Sequence, residues 1–306
     1  MGRLLAFAIA LLLAADPAAA NRLELVDLTD EFDAFWESSQ SQDGPVRVAA
    51  MQARLGPLLP GFFEPRGIDA VRYTAHVAEA LAQYPAQRDG VREVSRRFAG
   101  LLAPAQASFE RQFGAFPRPH RIYLVHSFGE MDGGTRSLPG GITLIFGADV
   151  IARLHLGHDI APFFHHELFH LHHFAHFTEC GAVWCSLWSE GLATYVAKRL
   201  NPGATDAELL LNVPEPIPAA VAANRQEAVC AVLSRLDSAE RDDMRALFSF
   251  RRMNERLPPR FGYYVGYLVA AELGRTRSLR RLANLRQDQV RPLVERSLRS
   301  LATCPA

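Results

Sequence analysis

The chain has 306 residues, 49% hydrophobic and 22% charged, a balance that excludes a disordered or fibrous protein and suffices for a sizeable core. Lysine plus arginine equals aspartate plus glutamate at 33 each, so the formal charge at pH 7 is zero and no global field points to nucleic acid or an anionic membrane as partner.

Residues 1–20 read as a secretory signal: Arg3 gives a positive start, Leu4 to Ala15 an apolar run, and Ala18-Ala19-Ala20 a small-residue cleavage site. The apolar run is shorter than the roughly 20 residues a spanning helix needs, and nothing comparable follows, so no stable membrane insertion is expected after cleavage. The expected destination is periplasmic or secreted. Cys180, Cys185, Cys230 and Cys304 remain, an even number in a chain bound for an oxidising compartment. Pairing Cys180 with Cys185 and Cys230 with Cys304 is the simplest of the possible connectivities, among which sequence does not choose.

The region 21–118 is helical in character, with apolar residues three and four apart, as in Phe32, Phe35 and Trp36, and with breaks expected at Pro60, Pro85 and Pro104. His76 in this stretch reads as a packed or surface histidine. After Pro119 the pattern changes. Ile122 to Val125 and Ile142 to Phe146 are short apolar, β-branched runs, hence strands, separated by Gly133-Gly134 and Gly140-Gly141. Asp159 and Pro162 signal the start of a histidine-rich helix running to about Phe177. A second helix begins near Ser186 or Ser189 and continues to Leu200, where Asn201-Pro202-Gly203 stops it. From Ala207 to Leu301 several more helices are expected. The predicted fold class is α+β, mostly helical, with a small sheet beside the histidine-rich helix. Two regions are expected in the mature chain: an N-terminal helical one over 21–118, and a core with its C-terminal helices over 119–306.

His166-Glu167-Leu168-Phe169-His170 is an H-E-x-x-H sequence on the first of these helices. At 3.6 residues per turn, His166 and His170 project from one face and can meet one metal ion. Glu167 sits roughly 100° around the axis, where its carboxylate reaches a metal-activated water as general base without ligating the ion. Phe164, Leu168 and Leu171 form the opposite, buried face. His165, His172, His173 and His176 are read mainly as residues of the solvated face. A catalytic zinc site takes three protein ligands and leaves a position open, so a third donor must come from elsewhere. Glu190 in the next helix and His176 farther along the same stretch are the candidates. A His176 ligand would give metzincin spacing, but that turn wants a glycine where His173 stands.

Trp188-Ser189-Glu190-Gly191-Leu192-Ala193-Thr194-Tyr195, a W-x-E-G-x-A segment, resembles the second motif of gluzincin (peptidase-MA-like) zinc metallopeptidases, which supplies the third ligand. The resemblance spans about Gly141 to Leu200, with a shorter patch near Tyr263. It implies a gluzincin-type core, one Zn2+ held by His166, His170 and Glu190, a peptide or protein substrate, and hydrolysis of peptide bonds. Gly191 is expected to let the two ligand-bearing helices approach closely. Phe261-Gly262-Tyr263-Tyr264-Val265-Gly266 is similar to the Y-x-K-G segment whose tyrosine stabilises the tetrahedral intermediate. Tyr263 holds that position and Tyr264 competes for it. The strand of Gly141 to Gly147 is the expected edge on which an extended substrate pairs.

The chain also departs from the family pattern. Thr194 stands where an aspartate often orients a ligand histidine, so only a hydroxyl is on offer there. No G-x-M-E-N segment precedes His166, so specificity for a peptide amino terminus is not expected. Two other readings stay open at this level: a secreted scaffold of the same fold without turnover, and a helical periplasmic protein without metal.

Overall fold

The computed structural model describes residues 23–116, 120–178 and 180–305, so the export signal expected over residues 1–20 lies outside the described residues. Two of the apolar, β-branched runs form the centre of the sheet. Strand β2 (His120–Val125) lies parallel to β4 (Gly141–Gly147), with Ile122 opposite Leu144 and Leu124 opposite Phe146. Leu144 to Gly147 are all buried without alternation, the pattern of a strand covered on both faces.

Two further strands were not expected. β1 (Leu23–Asp27) pairs parallel with β2, Leu23 opposite His120, and corrects the helical reading of that segment. Five residues are too few for a helix to hold itself, and here a distant partner strand decides the conformation. β3 (Gly133–Leu138) pairs antiparallel with β4 across the Pro139-Gly140 turn, giving the order β1-β2-β4-β3. Its glycines had marked it as a connection. The edge strands are therefore β1 and β3, and the expectation that Gly141 to Gly147 forms an edge is wrong, because β4 is flanked on both sides.

Helices α1 (Thr29–Ser38), α2 (Gly44–Leu55) and α3 (Ala70–Phe113) follow β1. Pro85 and Pro104 lie inside α3 and do not break it, contrary to the sequence reading. Proline removes one hydrogen bond and clashes with the carbonyl four residues back. At Pro85 that carbonyl belongs to Leu81, and the Trp36 indole Nε1 donates to it at 2.9 Å. The apolar stripe of Tyr73, Val77, Leu81, Tyr84, Val91, Val94, Phe98, Leu102 and Phe109 then carries the helix across the core.

Helix α4 (Ala148–Leu154) leads to α5 (Ala161–His173), which ends four residues before the expected Phe177. α6 (Val183–Leu200) starts earlier than Ser186 because tertiary contacts satisfy its first donors: Val183 N–H reaches Ser238 O and Trp184 N–H reaches Leu236 O, both at 2.9 Å. α7 (Ile217–Ala223), α8 (Arg225–Leu233), α9 (Arg241–Phe248), α10 (Phe261–Gly274), α11 (Leu279–Ala283) and α12 (Gln287–Leu301) complete the chain. The fold is thus α+β and mostly helical, with one small mixed sheet. Disulfides join Cys180 to Cys185 and Cys230 to Cys304. Among the described residues no helix is long and apolar enough to cross a membrane.

Candidate metal centre

Helix α5 is built to carry charge on one side and to be covered on the others. Pro162 opens it, and Phe164, Leu168 and Leu171 are buried against the core as their spacing predicts. The burial goes further than that stripe, since α3, α6, β3 and β4 all pack on this helix. His165 and His173, read as solvent-facing, are accordingly 2% and 1% exposed. His165 Nδ1 accepts from Asn201 Nδ2 at 2.7 Å and its Nε2 lies 3.1 Å from Ala105 O, so this ring ties α3, α5 and α6 together. His173 stacks between Phe169 and Phe177.

On the remaining side, His166 Nε2 and His170 Nε2 lie 3.0 Å apart, and Glu190 Oε2 from α6 is 3.2 Å from the first and 3.3 Å from the second. A tetrahedral ion with bonds of roughly 2.0–2.1 Å spaces its ligand atoms by about 3.3 Å, so this triangle fits one metal ion of zinc-like size. The chemistry of the set fits as well. Burial is the main influence holding His166 below its ordinary value, which leaves a neutral ring with a lone pair. Burial works to raise the Glu190 carboxyl, but His170 and the hydrogen bonds from both imidazoles outweigh it and keep the group well below the usual carboxylate range. Two imidazole nitrogens and one carboxylate oxygen thus converge where a cation would satisfy all three. His176 is not among them: it lies beyond the end of α5, exposed, beside His172.

Glu167 is 7% exposed, and its Oε2 is buried without a hydrogen-bond partner among the described residues. Burial, with smaller contributions from the charges of Asp132 and Glu190, pushes its carboxyl up to about 8. Gly133 of β3 makes room for it, since a β-carbon there would stand 2.9 Å from Glu167 Cγ and 2.7 Å from Phe163 Cζ. The triad and Glu167 line one cavity of about 360 Å³, walled by β3 on one side and by the loop after α6 on another.

Tyr263 also lines this cavity, whereas Tyr264 turns away and stacks on Tyr267 with ring centroids 5.6 Å apart. The negative charge of Glu190, and then burial, push the Tyr263 phenol well above its ordinary value, so it stays a hydrogen-bond donor. Its placement depends on α10 crossing α6 at two glycines. A β-carbon on Gly191 would lie 2.4 Å from Gly266 Cα, and one on Gly266 would lie 2.3 Å from Leu187 O. Gly191 therefore admits α10, not α5 as the sequence reading had it. Thr194 donates to Glu190 O at 2.9 Å, so its hydroxyl is occupied by its own helix.

Three residues of the cavity escaped the sequence reading: Asp132, Arg136 and Arg260. Asp132 accepts from Gly133 N–H at 3.0 Å and lies 3.0 Å from His155 Nε2, an imidazole buried against Phe163. Acids and arginines scattered through loops carry no spacing signal, though the Asp132-Gly133-Gly134 turn was a local cue. Comparison of the chain with family models, with curated proteins and with solved structures gives no match.

Proposed function

We propose that this chain is an exported zinc-dependent peptidase of the gluzincin type. The observation that carries the reading is the convergence of His166, His170 and Glu190, with ligand atoms all within 4.8 Å of one another, beside the buried Glu167, whose Oε2 has no hydrogen-bond partner among the described residues. Paired cysteines support an oxidising destination.

His166, His170 and Glu190 would hold the ion. Zinc in such a setting supplies Lewis acidity, polarising a carbonyl and bringing the acidity of water toward neutrality. Glu167 takes the proton of the attacking water and passes it to the leaving amine, and a carboxyl made less acidic by burial suits a group that must both accept and give. The Tyr263 phenol donates to the oxygen on which negative charge develops. β3, an edge strand of the sheet and a wall of the cavity, offers main-chain groups to an extended peptide.

The test measures zinc content and peptide cleavage on the parent protein, Glu190→Ala, His176→Ala and Glu167→Gln. Glu190→Ala should weaken zinc binding and abolish hydrolysis, while His176→Ala keeps both. Zinc retention in Glu190→Ala with loss in His176→Ala would refute the site. A zinc-loaded parent that cleaves no member of a peptide library would leave a scaffold in place of an enzyme.

A further inference from the structure

Arg260 stands immediately before α10 with φ of 63°, a left-handed conformation that a side chain with a β-carbon adopts at a steric cost. Something must repay that cost. Its half-buried guanidinium Nη1 donates to Leu210 O and Val213 O, both at 3.1 Å, and its Cζ sits 4.7 Å from the centroid of the Tyr263 ring. Among the described residues it has no ion pair, so carbonyls and an aromatic face hold it where an acid usually would.

The two carbonyls belong to the segment 204–213, a strap whose residues Glu208, Leu209 and Leu210 form part of the cavity wall. Lys198 Nζ fixes one end by donating to Ala204 O at 2.6 Å. Glu208 fixes the middle, accepting from Thr205 N–H at 2.7 Å and from Asp159 N–H at 3.3 Å. Leu210 itself has φ of 53°, and Glu208, Leu209 and Leu210 all face the cavity shared with Tyr263.

We propose that Arg260 is a positioning residue that couples this strap to Tyr263, so that the wall touching a bound peptide and the phenol that serves its carbonyl oxygen are held as one unit. The kinetic consequence rests on the peptidase reading, whereas the mechanical coupling does not. A planar guanidinium can donate to two carbonyls while its face covers a ring, an arrangement that the compact ammonium of lysine reproduces only in part. Coupling of this kind is reciprocal, so disturbing the ring must loosen the strap as surely as removing the guanidinium.

The test follows native-state nicking after Glu208 by a glutamyl endopeptidase in the parent, Arg260→Ala, Arg260→Lys, Tyr263→Ala and Tyr263→Phe. Losing two hydrogen bonds should raise the open population, and the nicking rate, about tenfold in Arg260→Ala, with Arg260→Lys intermediate. Tyr263→Ala removes the ring and should speed nicking too, while Tyr263→Phe keeps the ring and should match the parent. An unchanged rate in Arg260→Ala, or in Tyr263→Ala, overturns the coupling. If the alanine variant fails to fold, Arg260→Lys carries the same comparison. In a peptide assay kcat should fall about 10-fold or more in Arg260→Ala, but by less than about twofold when the change is made in Tyr263→Phe, since the phenol it positions is then already gone. Multiplying losses would overturn the kinetic half. Nicking decides the coupling whether or not peptides are cleaved, so a failure of the peptidase reading appears separately in the peptide assay.

Discussion

Glu167 is the residue on which function and stability pull apart. Its carboxyl ionises near an ordinary 4.5 in the unfolded chain and is pushed up to about 8 by burial in the folded, metal-free protein. Between those values the folded state holds the extra proton, so stability falls as pH rises through the window and levels off above it. Glu167→Gln keeps the size and removes the titration. Metal-free Glu167→Gln should therefore be more stable than the parent at neutral pH, by a margin that grows from about pH 5 to about pH 8 in urea unfolding with a chelator present. A margin that does not change with pH would show that the carboxylate is better solvated than its burial indicates. With zinc bound, the same variant should lose at least about 100-fold in turnover while retaining the metal, the low end for loss of a general base. The convergence of His166, His170 and Glu190 was legible because their spacing is a property of one helix and one neighbouring motif. Tyr263 was legible only as one of an adjacent pair, because the choice between it and Tyr264 rests on how α10 is rotated, and Gly191 and Gly266 set that rotation through a contact between distant segments.

Helix α3 shows how an element survives its own sequence. Proline at 85 should interrupt it, yet the carbonyl it leaves without a partner is the one Trp36 occupies. Replacing Trp36 by Phe should cost about 1 kcal/mol through that hydrogen bond, in addition to any packing loss. In a Pro85→Ala background an alanine N–H can take the Leu81 carbonyl, so the same replacement should cost measurably less. Equal costs in the two backgrounds, read from denaturant midpoints, would mean that the indole bond contributes nothing. The sheet gives the complementary lesson. β2 and β4 were visible as apolar runs, because burial on both faces writes itself into composition. β1 and β3 were not, since a five-residue strand and a glycine-led edge take their conformation from partners and carry little pattern of their own. Recovering β3 matters for function, because it moves the expected peptide-docking edge from β4 to a strand that borders Glu167 directly.

For the molecule as a whole, the two disulfides differ in reach. Cys180 and Cys185 are 5 residues apart and Cys230 and Cys304 are 74 apart. On chain-entropy grounds the short loop is worth about 2 kcal/mol and the long one about 4 kcal/mol. Cys304→Ser should therefore lower stability more than Cys180→Ser with Cys185→Ser, as read from thermal midpoints under oxidising conditions. Thiol labelling of the purified protein, denatured but not reduced, should find no free cysteine. Labelled thiols would contradict the pairing. The fold class was legible from the alternation of helical and strand patterns, and the disulfides follow the simplest connectivity the sequence offered, although the sequence does not choose among the pairings.

The separation of 74 residues between Cys230 and Cys304 gives this bond a place in time. A chain that emerges from its amino end can pair β1 with β2 and set α5 against α6 before Cys304 has been made. Cys230 of α8 is a thiol throughout that interval and becomes half of a disulfide only after the helices that follow it have emerged. The bond is thereby late by construction, and it closes over a core that the earlier elements have already laid down.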